Sequence, residues 1–346
     1  MKKKMNENLK TNTYFEARPP QNESTGFSWG RLVFLGLMSA ALSSFQLFWL
    51  FVPVPLTMAI LIYGRGKGLA LGVLGIGALL VLSLTTQIYP LAAVTVFAGA
   101  FIEAAILGEI IIRKMNPIKG MLVAGLLMLA IVVAGIATTH FFGKVSIHEA
   151  TTQAVAQFIE QVKSSNTEIM NGSGEEARIW RDYMEQPGVL ADKIIAMAPM
   201  AIFGSIYFGL WLCLFIILRN SLVWKERLNY PYVLKDLIEF RVPFNMVWGL
   251  IFGLVMYLLG GTLYGEQAEI WGETIIYCTG VFYFFQGFGV FSELLNKLRL
   301  FGFTRAIMIV LTVFTAWRLI ALVGLFDVWF NFRKYFKKKN DEGDML

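Results

Sequence analysis

Two ionisable residues lie deep inside long apolar stretches of the sequence. Glu103 is near the middle of the stretch 90–112, and Arg318 is near the middle of 306–328. A charged group at membrane depth carries a large desolvation cost, so it is retained where it is paired or where it has a function. Two hypotheses follow. Glu103 and Arg318 form a structural ion pair that fixes helix packing, or they line a polar cavity and contact a substrate or a proton.

Three further polar side chains could line the same cavity. His140 lies at the end of the stretch 120–142, while Gln87 and Gln286 could supply neutral hydrogen bonds inside a bilayer. Hydrogen bonding between packed helices is the alternative role for both glutamines. The second histidine, His148, has no carboxylate at metal-ligand spacing from His140, so no metal site is predicted.

No motif of a catalytic or cofactor site is present in the sequence. Gly64, Gly66 and Gly68 alternate along the chain, but no Gly-Lys-Ser/Thr follows them, so they do not form a P-loop. The HExxH motif of zinc enzymes and the GxSxG motif of serine hydrolases are also missing. We therefore predict a non-enzymatic protein without a cofactor. Transport against a gradient would need an ion gradient or a partner ATPase.

Composition places these residues in a lipid environment. Of the 346 residues, 56% are apolar and 16% are charged, against about 25% charged in a typical soluble domain. This balance excludes a soluble enzyme, a disordered chain and a nucleic-acid-binding protein. It predicts an all-α polytopic membrane protein whose main partner is the lipid bilayer. Cys213 and Cys278 both lie in apolar stretches, which indicates buried free thiols.

Eight or nine transmembrane helices are predicted from the length of the apolar stretches, since a span needs about 20 apolar residues. The eight clear stretches are 32–51, 68–88, 90–112, 120–142, 194–218, 244–263, 274–295 and 306–328. A ninth stretch, 54–63, is short, and Pro53 and Pro55 disfavour a continuous helix there. We expect it to be a short helix that is tilted or partly re-entrant.

The distribution of Lys and Arg predicts a cytosolic N-terminus in a bacterial inner membrane. With that orientation nineteen basic residues face the cytosol and five face out, all five in the acidic loop 143–193. Nine crossings would leave Arg333 and Lys334 outside. Three explanations remain open: the charges are tolerated, the Gly-interrupted stretch 274–295 does not span, or the last helix breaks near Arg318 and Asp327–Lys339 returns as an amphipathic tail.

The same pattern divides the chain into five parts. These are a cytosolic arm 1–31, a first membrane block 32–218, a cytosolic interfacial connector 219–243, a second block 244–330 and a charged tail 331–346. The first block contains the exterior loop 143–193, in which helical spacing precedes a second polar helix near Arg178–Met184. An exterior helical cap and an ordinary loop are equally consistent with that loop.

Small residues recur every four positions in the first span, at Gly36, Ala40 and Ser44. Such a stripe lets two helices approach closely. Packing within the chain is one interpretation, and a docking face for a partner protein is the other.

Three segments of the C-terminal half carry a resemblance to a known family. They are Phe240-Arg-Val-Pro-Phe-Asn245, Tyr283-Phe-Phe-Gln-Gly-Phe-Gly289 and Gly324-Leu-Phe-Asp-Val-Trp-Phe-Asn-Phe-Arg333. Together with the span pattern from about residue 30, the chain resembles the YybS-like family of uncharacterised bacterial membrane proteins. The resemblance implies an inner-membrane protein with about eight helices.

Residues 32–218 are also similar to the S component of energy-coupling-factor vitamin transporters. The shared features are the small-residue first helix, the turn at Pro53 and Pro55, and a short second helix. This resemblance implies that Gly36, Ala40 and Ser44 dock a coupling partner. The long loop 143–193 and the additional C-terminal helices depart from that pattern.

Two classes of function are therefore expected. The first is a small-solute binding or transport protein whose cavity lies in the first block, with a partner that supplies energy. The competing class is a membrane scaffold or assembly factor that binds envelope or cytosolic proteins and moves no solute.

Overall fold

The computed structural model describes residues 29–86, 89–143, 146–165 and 186–336, and within these ranges it contains helices and no strand. The all-α prediction is confirmed. The main helices are α1 Trp29–Ser44, α2 Pro53–Tyr63, α3 Arg65–Thr86, α4 Leu91–Ile112, α5 Pro117–Phe142, α6 Ile147–Ser165 and α7 Pro187–Arg219. They continue as α8 Lys225–Leu228, α9 Leu234–Ile238, α10 Met246–Leu263, α11 Glu266–Lys297, α12 Gly302–Thr315, α13 Trp317–Phe330 and α14 Arg333–Phe336.

Six of the described helices are long and apolar enough to cross a bilayer: α3, α4, α5, α7, α10 and α11. Many of their large apolar side chains face outward, among them Leu74, Leu126 and Leu258. In water such an exposed apolar surface would be unfavourable, whereas hydrocarbon solvates it. The six helices therefore confirm the class of a multi-pass membrane protein.

The first predicted span, 32–51, is wrong in its C-terminal third. Helix α1 ends at Ser44 after 16 residues, and a 3-10 helix, Gln46–Phe51, follows it. The 3-10 helix and α2 then run back along α4: Thr57 donates to the Ala104 carbonyl at 3.5 Å, and Arg65 pairs with Glu109 just after α2 ends. Residues 46–51 thus belong to the returning segment.

The return segment 46–63 has the length of one crossing. Six residues of 3-10 helix and eleven of α-helix rise by about 28 Å together, close to the roughly 30 Å hydrocarbon core. Helix α1 runs the opposite way, since Trp29 and Lys67 line one groove while Tyr89 donates to the Ala40 carbonyl at 2.9 Å. The short apolar stretch 54–63 is therefore the second half of a broken helix.

The last predicted span, 306–328, is also broken. Helices α12 and α13 meet at Ala316 with a bend of 93°, which confirms the hypothesis of a break near Arg318. Both outer ends of the pair lie at the C-terminal end of α11: Arg305 donates to Asn296 Oδ1 at 2.6 Å, and Lys297 donates to the Tyr335 carbonyl at 3.4 Å. The pair therefore begins and ends beside the same end of α11, which is the arrangement of a re-entrant loop.

The Gly-interrupted stretch 274–295 belongs to a helix long and apolar enough to cross a bilayer. This finding counts against the alternative that the stretch does not span. The stretch lies within α11, a continuous helix of 32 residues and the most buried of the six candidate spans. Its glycines serve close helix packing: a Cβ at Gly272 would contact the backbone of α10, and one at Gly287 would overlap the Ile320 carbonyl oxygen of α13. The glycines therefore give α11 two faces on which neighbouring backbones lie in direct contact.

The connector 219–243 and both membrane blocks share one interior. Leu61, Leu107 and Leu214 of the first block pack in the same buried cluster as Phe285 and Ile320 of the second. Three connector residues, Trp224, Tyr230 and Leu237, are buried in that cluster as well. The connector is thus packed into the protein along most of its length, and helix α6 packs separately on α7 through Val155, Ile159 and Ala191.

The close approach of α11 and α13 yields a stability prediction. Gly287→Ala is expected to lower the free energy of unfolding by roughly 1–3 kcal/mol, because its methyl group would overlap backbone that cannot move aside. The matched control is Gly280→Ala on the same helix, where a Cβ meets open space. The control is expected to be neutral or stabilising by up to about 1 kcal/mol, since alanine favours helix. Denaturant titration in detergent micelles measures both, and equal effects would contradict the packing described.

Candidate functional site

Glu103 lines a cavity of about 210 Å³ between the 3-10 helix 46–51 and helices α4, α5 and α7. Trp49 closes one side, Met128 and Leu210 belong to the apolar wall, and Ser205 adds a hydroxyl group. The cavity lies beside the N-terminal half of α4, next to the 3-10 part of the return segment 46–63. The volume exceeds that of a roughly 150 Å³ engineered cavity that binds benzene, so a small organic molecule fits.

The helix break beside Trp49 is what leaves room for this cavity. Pro53 and Pro55 lack the amide hydrogens that a continuous helix would use, so the chain passes through a 3-10 segment before α2 begins. Backbone carbonyls at an interrupted helix need donors inside a membrane. Side chains donate to three carbonyls around this break: Ser39 to Val52 at 3.0 Å, Cys213 to Leu50 at 3.3 Å, and Thr57 to Pro53 at 2.8 Å.

The Glu103 carboxylate has an unused acceptor. Its Oε1 atom is buried and has no hydrogen-bond partner. The Cys213 thiol lies within hydrogen-bonding reach of the carboxylate and of the Leu50 carbonyl at 3.3 Å, so one weak S–H donor is shared between two acceptors. A buried acceptor without a donor costs about 1–3 kcal/mol, so such an atom at a cavity wall is a candidate contact for a ligand.

Arg318 is not the partner of Glu103, and the predicted ion pair between them is wrong. The Arg318 side chain is exposed, and its guanidinium carbon lies 5.4 Å from the centre of the Trp317 ring. The bend at Ala316 turns the start of α13 so that Arg318 stays on the surface, where stacking on an aromatic ring takes the place of a counter-ion. Arg318 does not line the Glu103 cavity.

The other predicted site residues are not gathered around Glu103 either. His140 is exposed near the end of α5, with its ring 5.4 Å from that of Phe141. Gln87 lies outside the described residues. His148 pairs with Asp192 at 3.0 Å, and the described residues contain no group of three or more His, Cys, Asp or Glu side chains that could hold a metal ion.

Gln286 belongs to a second buried polar group that sequence reasoning missed, formed with Asp327 and Arg333. Gln286 donates to Asp327 Oδ2 at 3.0 Å and accepts from the Val242 amide at 2.8 Å. Arg333 Nη2 donates to the carbonyls of Phe240 and Gln286 at 3.0 and 2.9 Å, and its Nε is 3.9 Å from Asp327 Oδ2. These contacts tie α11, α13 and the connector together.

Burial of this polar group depends on the turn after α13. Asn331 ends the helix in the left-handed conformation, with φ of 45°, and the chain turns so that Arg333 points back into the protein with 3% of its surface exposed. Burial lowers the pKa of the Arg333 guanidinium, and the nearby Asp327 carboxylate opposes that shift. An amphipathic tail Asp327–Lys339 was one of the three explanations left open by the sequence, and the burial of Asp327 and Arg333 contradicts it at those two residues; residues 337–339 lie outside the described residues. The sequence signal that could have revealed this polar group is the placement of Asp327 and Arg333 on either side of Asn331, where the helix ends.

The small-residue stripe of α1 faces a neighbouring helix of the same chain. A Cβ at Gly36 would lie 2.8 Å from Leu71 of α3, and Ala40 packs against a buried cluster that includes Phe97. Gly36 and Ala40 also line an apolar groove of about 450 Å³ between α1 and α3. Ser44 is exposed and donates to the Ala40 carbonyl at 3.2 Å. Packing within the chain accounts for Gly36, and a partner at this groove stays a prediction.

The helices and their lipid-facing surfaces define a polytopic, all-helical integral membrane protein. Residues 32–328 match the family described as "Predicted membrane protein (DUF2232)", and the chain belongs to this family. No curated protein and no solved structure matches the chain. The family match begins in α1 and ends in α13, so it includes both the Glu103 cavity and the Gln286–Asp327 contact.

The buried ion pair yields a second stability prediction. Arg333→Gln leaves the Asp327 carboxylate buried without its counter-ion, so we expect the free energy of unfolding to fall by about 3–5 kcal/mol. Arg113→Gln is the matched control, because Arg113 pairs with Glu109 on the surface, where such a pair contributes about 1 kcal/mol or less. Denaturant titration in detergent micelles is the measurement. A loss for Arg333→Gln no larger than that of the control would refute the role of the pair.

Proposed function

We propose that this protein is a non-enzymatic, membrane-embedded protein that binds a small solute at Glu103 and transports it. The observation that carries the proposal is the position of Glu103, whose Oε1 is buried without a partner, in the wall of a cavity large enough for a small organic molecule. Asp327 Oδ1 is likewise buried without a partner, so the cavity in whose wall Glu103 lies, and not the missing hydrogen bond alone, favours a binding role for Glu103.

The broken segment 46–63 supports a transport role. Irregular backbone at membrane depth is tolerated where it is buried in protein or lines a cavity, and discontinuous helices form the substrate sites of many secondary transporters. Trp49, within the 3-10 part of this segment, belongs to the cavity wall. A change in the angle between the 3-10 part of this segment and α2 would open or close the cavity, and the surrounding helices would move little.

A partner that supplies energy is part of the proposal. The sequence contains no nucleotide-binding motif, and the resemblance of residues 32–218 to the S component of energy-coupling-factor transporters favours an external ATPase. The groove between α1 and α3, with Gly36 and Ala40 in its wall, is the surface proposed for that contact. The resemblance to the YybS-like family favours a bacterial inner membrane.

We propose that the N- and C-termini both lie in the cytosol. Helix α1, the segment 46–63 and the six longer helices make eight crossings, and the re-entrant α12–α13 pair adds none. The contact of Lys297 with the Tyr335 carbonyl puts the tail on the side of Lys297. This removes the exception to the positive-inside rule, because Arg333 and Lys334 then lie with the other basic residues.

A membrane scaffold or assembly factor is the alternative function. Helix α6 favours it: the helix is amphipathic and packs on α7 through Val155, Ile159 and Ala191, with the His148–Asp192 pair beside them. Its exposed face, which includes Phe158, is proposed for a protein contact. Under this alternative the Glu103 cavity would stay empty in the working protein.

Native mass spectrometry tests the two functions against each other. We expect wild-type protein released from detergent to carry a small molecule of discrete mass, and Glu103→Gln to lose it while keeping the same far-ultraviolet circular dichroism. Glu109→Gln on the same helix is the control, because Glu109 pairs with Arg65 and Arg113 on the surface and should leave the bound mass unchanged. Identical empty spectra for all three proteins, together with a co-purifying protein, would favour the scaffold.

Reporter fusions test the topology. Alkaline phosphatase, which is active outside the cytosol, should be inactive when fused after Phe336 or before Trp29, and active when inserted after Gly143. The physical reason is the even number of crossings before the re-entrant pair. Activity at one terminus alone would show that α12–α13 crosses the membrane.

A further inference from the structure

We infer that the ligand of the Glu103 cavity is a small protonated amine that carries an apolar group. This inference rests on the proposed function and adds the chemical class of the solute. The starting point is the charge of the wall: among the described residues that line the cavity, Glu103 is the ionisable one, and none is Lys, Arg or His. An ionised carboxylate here has no counter-ion from the protein, so a cationic ligand would supply it.

The second polar group of the cavity is also an acceptor. The Ser205 hydroxyl donates to the Ile202 carbonyl at 3.0 Å, so its oxygen can only accept from a group inside the cavity. Glu103 Oε1 is an acceptor without a donor. The Glu103 carboxyl group and the Ser205 hydroxyl lie in the wall of one cavity. Together they suit a ligand with several N–H donors, which a primary or secondary ammonium group has and an alcohol or a carboxylate does not.

The rest of the wall disfavours a metal ion bound directly by the protein. A cation such as Mg²⁺ or Ca²⁺ needs six or more oxygen ligands, and the cavity side chains supply the Glu103 carboxylate and the Ser205 hydroxyl. Val96, Met128 and Leu210 line the other sides, and they would bury an apolar substituent. Trp49 adds an aromatic ring, which attracts an organic cation more than a neutral molecule of the same shape.

The position of Gly99 indicates how the ligand enters. This residue lines the cavity, is exposed, and would present a Cβ to open space. The cavity therefore reaches the lipid-facing surface of α4 beside Gly99. A larger side chain there would obstruct the entrance without disturbing the packing of α4.

Isothermal titration calorimetry on the full chain in phosphatidylglycerol nanodiscs tests the inference. The probes are benzylammonium, benzyl alcohol and benzoate, which share one shape and differ in charge. We expect benzylammonium to bind wild-type protein about 10- to 100-fold more tightly than either other probe, since a hydrogen bond to a charged group is stronger than a neutral one. Glu103→Gln should remove this preference, and Glu109→Gln should retain it.

A second variant keeps the test valid if Glu103→Gln fails to fold. Gly99→Leu should weaken benzylammonium binding at least tenfold by filling the entrance, and its matched control is Gly135→Leu on α5, where a Cβ also meets open space away from the cavity. Nanodiscs containing phosphatidylethanolamine separate two sources of the amine: competition with benzylammonium indicates an aminolipid headgroup, and no competition indicates a free amine. Both results agree with an amine ligand.

Two outcomes would overturn the inference, and they separate it from the proposed function. If benzyl alcohol or benzoate binds as tightly as benzylammonium and Gly99→Leu abolishes that binding, the cavity binds solutes but not specifically amines. If no probe binds and the native mass spectra are also empty, the amine inference and the proposed function both fail.

Discussion

The requirement that every backbone polar group find a partner away from water governs this structure. A continuous helix meets that requirement by itself, and an interrupted one must obtain partners from its neighbours. Within the described residues, the helices of the apolar stretches are interrupted after Ser44 and at Ala316. The first interruption is supported by hydroxyl and thiol donors from α1, α2 and α7, and the second lies in a segment tied down by the Gln286–Asp327–Arg333 group. The Glu103 cavity thus lies beside the first interruption, whereas the Gln286–Asp327–Arg333 group lies at the far end of α13, where the helix ends at Asn331.

Two different solutions for a buried carboxylate follow from these interruptions. Asp327 obtains an amide donor from Gln286 and a nearby guanidinium from Arg333, so it is fixed within the protein. Glu103 has the Cys213 thiol as its polar neighbour, and its Oε1 is without a partner. Asp327 Oδ1 is also without a partner, so the missing hydrogen bond does not by itself separate the two carboxylates. The cavity lined by Glu103 separates them, and it is the main reason for assigning a binding role to that residue.

Sequence patterns predicted the class of fold and the position of the cavity residue well, and failed for partners that are distant along the chain. Apolar length and charge placement were sufficient for the all-helical membrane protein, and an isolated carboxylate at depth was sufficient to select Glu103. Its pairing with Arg318 was inferred from similar depth alone. Depth says nothing about which helices are neighbours, and the bend at Ala316 moved Arg318 to the surface. The buried role of Arg333 was hidden because it depends on the left-handed turn at Asn331, a local feature that apolar periodicity does not report.

The two glycine faces of α11 restrict how the length of this chain can vary. Gly272 faces the backbone of α10 and Gly287 faces that of α13, and both lie on one uninterrupted helix. Adding or removing a single residue between them would rotate one face by about 100° relative to the other, and no side-chain adjustment could restore both contacts. Insertions and deletions among natural homologues should therefore be absent from this interval and accumulate instead in the polar loop between α6 and α7.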